Sequence, residues 1–224
     1  MNEIVLYSIA AAALIFEILK YAGVFPAKHM IIILTAQLIS GVVYCGFAFE
    51  TASLFRLYLL SAPFIAYATY LASLFIVGTK FNKDNLMIKR VRFDSKLKPK
   101  IKSELLRNLL TSSVEEIVFR GIFQYALTKL IGNVYIPAII VCILFTAVHY
   151  KKGIAIVQML DILFFSIVIS ALFAIFTNVV FTIGIHIIRN AFVIIQKYIV
   201  QQKKIDRFNH LIRINNKEKT GGNA

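Results

Sequence analysis

Apolar residues reach this chain in blocks, each close to the length that crosses a bilayer: residues 4–24, 30–49, 51–77, 113–131, 135–149, 154–176 and 179–200. A hydrocarbon core about 30 Å thick calls for on the order of 20 apolar residues of helix. Lipid offers no partner to a bare N–H or C=O, so such a block crosses with its backbone bonded within itself. The chain is 59% hydrophobic with a mean hydropathy of +0.77, too apolar for an ordinary soluble domain of 224 residues. The expected fold is all-α: a polytopic membrane helix bundle of about seven transmembrane helices with an amphipathic surface helix.

The breaks between blocks set the organisation. Gly23 and Pro26 end the first block, which contains Glu17 and carries Lys20 near its far end. Pro63 lies inside the third block and is expected to kink that helix, as membrane helices tolerate. The basic connector, 80–112, opens with Asn82, Asp84, Asn85 and Pro99, read as an exposed loop. Its later part sets Ile101, Leu105, Leu106 and Leu109 on one stripe, the pattern of a helix lying at the membrane surface. Gly132-Asn133 reads as a tight turn, Lys151-Lys152-Gly153 returns the chain, and Thr177-Asn178 separates the last two blocks. The chain thus divides into three N-terminal helices (1–79), the connector (80–112), a core of four helices (113–200) and a basic tail (201–224). The tail is expected to be solvated, with a disordered end. No internal repeat is visible.

Formal net charge is +14, and 19 of the 25 Lys and Arg fall in three places: 80–107, 151–152 and 197–219. With the N-terminus outside, all three face the cytoplasm, and only Arg56 and Lys129 lie near the other face, as the positive-inside rule asks. The basic balance therefore suits a bilayer with anionic headgroups, and nucleic acid is not expected as a partner. The C-terminus is placed in the cytoplasm. Met1-Asn2-Glu3 lacks a basic n-region, so the first block is expected to stay as a membrane helix. Cys45 and Cys142 fall in apolar segments with nothing metal-like beside them, which argues against a disulfide framework or a zinc site.

Against this background the ionisable residues stand out. Glu115, Glu116 and Arg120 lie within an apolar run, where charge is costly and persists mainly in pairs or for function. Glu116 and Arg120, four residues apart, share a helix face, while Glu115 points about 100° away from Glu116. One carboxylate can be held by the arginine while the other stays free to react. The plainer reading is a helix start, since Ser112 and Ser113 each precede a glutamate by three residues. That accounts for one Glu and not for two with Arg120 a turn deeper. His186, Arg189 and Asn190 line one stripe of the last block, which also fits helix-to-helix hydrogen bonding. Asp161 with Gln158 reads as a structural hydrogen-bonding pair, and His149, at a block end, as an interfacial residue. Together, a carboxylate, two histidines and an asparagine are the parts for hydrolysing an amide with an activated water. No serine or cysteine in these motifs sits beside a histidine as a covalent nucleophile.

Glu115-Glu116-x-x-x-Arg120, Phe145-x-x-x-His149 and His186-x-x-x-Asn190 resemble, in that order, the motifs of the CAAX-protease and bacteriocin-processing family of intramembrane endopeptidases. The resemblance covers roughly 103–197. It implies that Glu115 is the general base, activating water with His149, and that His186 and Asn190 stabilise the oxyanion. It further implies that Glu116 and Arg120 fix the site and its charge, that Phe145 packs beside it, and that no metal or other cofactor is needed. The implied partner is a membrane-associated peptide or protein tail, and the compact Ile- and Lys-rich chain suggests a bacterial plasma membrane.

Two other functions fit the same bundle: a non-catalytic scaffold or bacteriocin self-immunity protein, and a small transporter. Against the transporter, the blocks show no obvious inverted repeat of the sort many carriers use. Depth poses a further question. His186 falls in the outer third of its block, whereas Glu115 and His149 fall near the cytoplasmic ends of theirs. A shared site therefore requires tilted or broken helices, or a wide wet cavity.

Overall fold

A computed structural model describes residues 3–26, 30–48, 57–78, 95, 97–150 and 154–221. The loop expected at 80–94 and the Lys151-Lys152-Gly153 return lie outside the described residues. The elements are α1 (Glu3–Tyr21), α2 (Met30–Ala48), a 3-10 turn (Leu57–Ser61) leading into α3 (Ala62–Ile76), and α4 (Lys98–Glu116). A π-helical segment (Ile117–Gln124) follows, then α5 (Tyr125–Ile131), α6 (Tyr135–Val148), α7 (Ile156–Phe176) and α8 (Val179–Gly221). Among the described residues there is no strand.

Among the described residues, four stretches are long and apolar enough to cross a membrane: Ile4–Tyr21, Leu59–Ile76, Ile156–Phe176 and Val179–Asn209. Ile32–Tyr44 and Tyr135–Val148 are apolar but shorter. The remaining block, 113–131, is not a separate helix. Residues 98–131 run on as one rod through α4, the π segment and α5. The amphipathic surface helix and the fourth span are therefore parts of one element. The tail behaves likewise, with α8 continuing helically to Gly221. The divisions at 112/113 and 200/201 mark changes of composition, and helices run across both.

Local chemistry explains the ends. Pro63 does not kink α3 but sits in its first turn, and Pro99 occupies the first turn of α4 rather than a loop. At that position a missing N–H costs no helical bond. Gly132 closes α5 in the left-handed region (φ 69°), its N–H bonded to Thr128 O at 3.0 Å. Asn133 Oδ1 then accepts from the N–H groups of Tyr135 (2.8 Å) and Ile136 (3.1 Å), capping α6. Asn178 does the same for α8 through Phe181 N–H at 2.9 Å.

The π segment is the centre of the bundle. Ile117 and Ile122 pack with Leu6 and Ala10 of α1, Tyr44 of α2 and Phe173 of α7. Gly41 of α2 lets that helix close on the rod, since a Cβ there would overlap Ile117 Cγ2. On the far side, α3, α7 and α8 meet through Ala66, Ile169, Phe181 and Ile185. Lipid tails are as apolar as these side chains, so close van der Waals contact and internal polar bonds hold such helices together. The surface fits that setting: Ile32, Phe64, Phe75, Ile156 and Ile175 are each at least 68% exposed, while Glu116, Arg120 and Gln124 are fully buried.

Candidate active site

Glu115 and Glu116 close α4, where the backbone widens into the π segment. Such π insertions often mark functional positions in helices. Their serine neighbours do not cap anything: Ser112 Oγ donates to Asn108 Oδ1 (2.9 Å) and Ser113 Oγ to Leu109 O (2.7 Å), so both sit in mid-helix. The helix-start reading of the glutamate pair is thereby removed.

Glu116 faces inward. Its Oε1 accepts from His186 Nδ1–H at 2.7 Å and from Arg120 Nη1–H at 3.2 Å. Arg120 also donates from Nη2 to Ser166 Oγ of α7 (3.0 Å), and its guanidinium lies 4.3 Å from the Phe145 ring centre. One buried carboxylate thus ties the rod to α8, and the arginine ties it to α6 and α7. A bare charge at this depth would be costly, and the paired set offsets that cost.

Glu115 faces elsewhere. It lines a cavity of about 390 Å³ whose walls also include His149, His186, Asn190, Phe145 and Arg189. Its Oε1 lies 3.8 Å from His149 Nε2 and its Oε2 lies 3.7 Å from His186 Nε2. Both gaps are too long for direct hydrogen bonds. The Oε1 atom accepts from the hydroxyl of Tyr21 in α1, which also stands 3.0 Å from His149 Nε2.

The histidines are oriented by their second nitrogens. His149 Nδ1–H donates to Phe145 O at 2.7 Å, and the two rings lie 4.4 Å apart. His186 Nδ1–H is committed to Glu116, so each ring presents Nε2 toward Glu115. Phe165 meets the His186 ring edge-on at 4.9 Å. Asn190 accepts from Arg189 Nη1–H (3.0 Å) and donates to Ser112 Oγ (3.4 Å), which fixes its amide at the cavity wall. The residues expected from the sequence therefore meet in one place: Glu115, His149, His186 and Asn190 around the cavity, and Glu116, Arg120 and Phe145 behind it.

Two expectations change. Asp161 does not pair with Gln158; it accepts from Arg189 Nη2 at 2.5 Å, and Gln158 Oε1 accepts instead from Ala155 N–H at the start of α7 (3.4 Å). Asp161 is one helical turn from Gln158 but lies opposite the stronger donor of α8. The rod begins at Lys98, so Glu115 lies well along it rather than at the start of a span.

Sequence reasoning missed Tyr21. Its signal was present: Glu17, Lys20 and Tyr21 share one face of α1 by their spacing. Glu17 is fully buried, paired with Lys20 at 2.5 Å and accepting from Gln37 Nε2 of α2 at 3.1 Å. An ionisable pair at that depth points to a functional neighbourhood. Among the described residues no three His, Cys, Asp or Glu side chains gather as a metal-binding group.

Residues 103–192 match the family model described as Rce1-like, type II CAAX prenyl endopeptidase Rce1-like. The match begins within α4 and ends in α8, and it contains the three motifs together with Glu116, Arg120 and Phe145. It agrees with the CAAX-protease resemblance those motifs carry. The long apolar helices and this match together make the chain an integral membrane protein. No curated protein and no solved structure matches the chain.

Proposed function

We propose that the chain is an intramembrane endopeptidase of the glutamate type, hydrolysing a peptide bond in a membrane-associated peptide or protein tail with an activated water and no bound metal. The observation that carries this reading is the division of labour between two adjacent carboxylates. Glu116 is consumed by Arg120 and His186, whereas Glu115 lines the cavity with a histidine on either side of its carboxyl group. In the proposed cycle Glu115, with His149, takes a proton from water in the cavity. The oxygen attacks the scissile carbonyl, and the proton passes on to the departing amine. The Asn190 amide is the donor aimed at the oxyanion, and His186 joins it from Nε2 as the doubly protonated imidazolium, whose Nδ1–H stays on Glu116.

Membrane placement is part of the proposal: about seven crossings, with the N-terminus outside and the basic C-terminus in the cytoplasm of a bacterial plasma membrane. The 14 residues of α6 reach about 21 Å at 1.5 Å per residue, short of a hydrocarbon core about 30 Å thick. A helix starting at one interface would end inside the bilayer. On this reading His149, just past the end of α6, lies within the bilayer rather than at its surface. Residues 1–79 serve as scaffold, 80–112 as basic connector, 113–200 as catalytic core and 201–224 as tail.

The test is a cleavage assay in proteoliposomes against small secreted or lipidated peptides of the host, comparing wild type with Glu115→Ala. The reading expects cleavage by the wild type, none by a folded Glu115→Ala protein, and no loss on treatment with a chelator. Full activity in Glu115→Ala contradicts the assigned base. Loss of activity with chelator, restored by zinc, contradicts the metal-free mechanism.

A further inference from the structure

Helix α1 lies outside the stretch that matches the endopeptidase family, yet it places a hydroxyl at the centre of the proposed chemistry. The arrangement follows from counting protons. His149 Nδ1–H is taken by the Phe145 carbonyl, so the neutral ring turns a bare lone pair on Nε2 toward Glu115 Oε1, 3.8 Å away. A carboxylate oxygen is also an acceptor. Two acceptors at that distance repel unless a donor stands by both, and the Tyr21 hydroxyl, bonded to Oε1 and 3.0 Å from Nε2, offers its single proton to the pair as a three-centre bond. Tyr21 is not among the described residues that line the cavity, whereas Glu115 and His149 are. The hydroxyl therefore approaches from behind and leaves their cavity side to water and substrate.

Tyr21 is itself held. Lys20 lies 5.2 Å from its ring centre, and the His149 ring lies 4.7 Å away. One turn back, the Glu17–Lys20 pair and the Gln37 amide pin α1 to α2. A tyrosine at the end of an ordinary membrane helix faces the headgroups; this one is turned inward by a buried ion pair.

We propose that Tyr21 is a positioning residue for the hydrolysis, joining Glu115 to His149 so that both present their reactive atoms to one water. The proposal rests on the peptidase reading above and adds to it a group from the N-terminal helices. Reaction rate, rather than substrate affinity, is what Tyr21 controls, because it touches neither the cavity nor anything bound in it. Misplacement of a reacting group by about 1 Å costs up to about 100-fold in rate.

The test uses the full chain in proteoliposomes and a panel of quenched fluorescent peptides with and without a farnesylated CAAX terminus. Tyr21→Phe, which keeps the ring and removes the hydroxyl, is expected to lower kcat about 10- to 100-fold, with KM and the thermal midpoint unchanged. In a His149→Ala background the same substitution is expected to cost little more, since its partner is gone. Tyr21→Phe with wild-type kcat overturns the inference and leaves the peptidase reading standing. A faster Tyr21→Phe also overturns it, because the hydroxyl would then be blocking the water. Failure of both Tyr21→Phe and Tyr21→Met to fold overturns it in favour of a purely structural role. A wild type that cleaves no member of the panel removes the premise and the inference together.

Discussion

The two sides of the rod at Glu115 and Glu116 are built from the same residue type and have opposite surroundings. On the inner side Glu116 is fully buried and bonded to an arginine and a histidine from two other turns of chain. On the cavity side Glu115 is held by one tyrosine hydroxyl, and the two imidazoles stand beyond hydrogen-bond reach. On the proposed reading, the carboxylate tied to an arginine and a histidine serves the structure, and the one that faces the cavity serves the chemistry. The 3.6-residue repeat makes both possible at consecutive positions, because neighbours on a helix look about 100° apart.

The comparison can be attacked first from the inner side. Arg120→Leu leaves Glu116 without its fixed cation in a dry interior, and a buried pair broken in this way costs about 3–5 kcal/mol. Thermal unfolding in detergent should show the loss. A midpoint equal to wild type would mean that Glu116 is not held as described. On the cavity side, His149→Ala should do the reverse. General acid–base assistance is worth about 10²–10⁴-fold, so cleavage should fall by that order while the unfolding midpoint barely moves.

The smallest effect lies at the surface, where Glu104 and Lys197 join α4 to α8 at 2.8 Å. Burial disfavours the charged form of Glu104, but the hydrogen bonds from Lys197 and Tyr198 and the nearby cations outweigh it, so its carboxyl sits below the ordinary value of 4.5. A lowered folded-state value means the contribution is present above that ordinary value and fades as pH falls through the folded one. Both side chains are more than a third exposed, so screening leaves roughly 0.2–1 kcal/mol. Lys197→Ala should therefore shift the midpoint slightly at pH 7 and not at all in strong acid, which a pH series of melts would check.

Much of the cavity was legible in the chain before any coordinates. Glu115, Glu116 and Arg120 violate the rule that lipid-facing helices avoid charge, and His186 with Asn190 does so at i,i+4. What was not legible had two physical sources. The merger of the surface helix with the fourth block is hidden because 98–131 contains no Pro after Pro99, and its one glycine, Gly121, sits inside the π segment without ending the rod. Only the change in composition near Ser113 suggested a boundary, and composition does not stop a helix. Tyr21 was hidden because its role depends on how α1 rotates, and that is set by Glu17 reaching Gln37 of another helix. The π geometry of Ile117–Gln124 left no mark that spacing alone could reveal.

The central claim is that these adjacent carboxylates have separate duties, and one paired measurement tests it most directly: kcat and unfolding midpoint for Glu115→Gln and Glu116→Gln side by side. The account predicts that Glu115→Gln loses cleavage by at least about 100-fold with an unchanged midpoint, while Glu116→Gln loses stability. Equal activity in Glu115→Gln and wild type, or an unfolding loss shared evenly by the two variants, would contradict it.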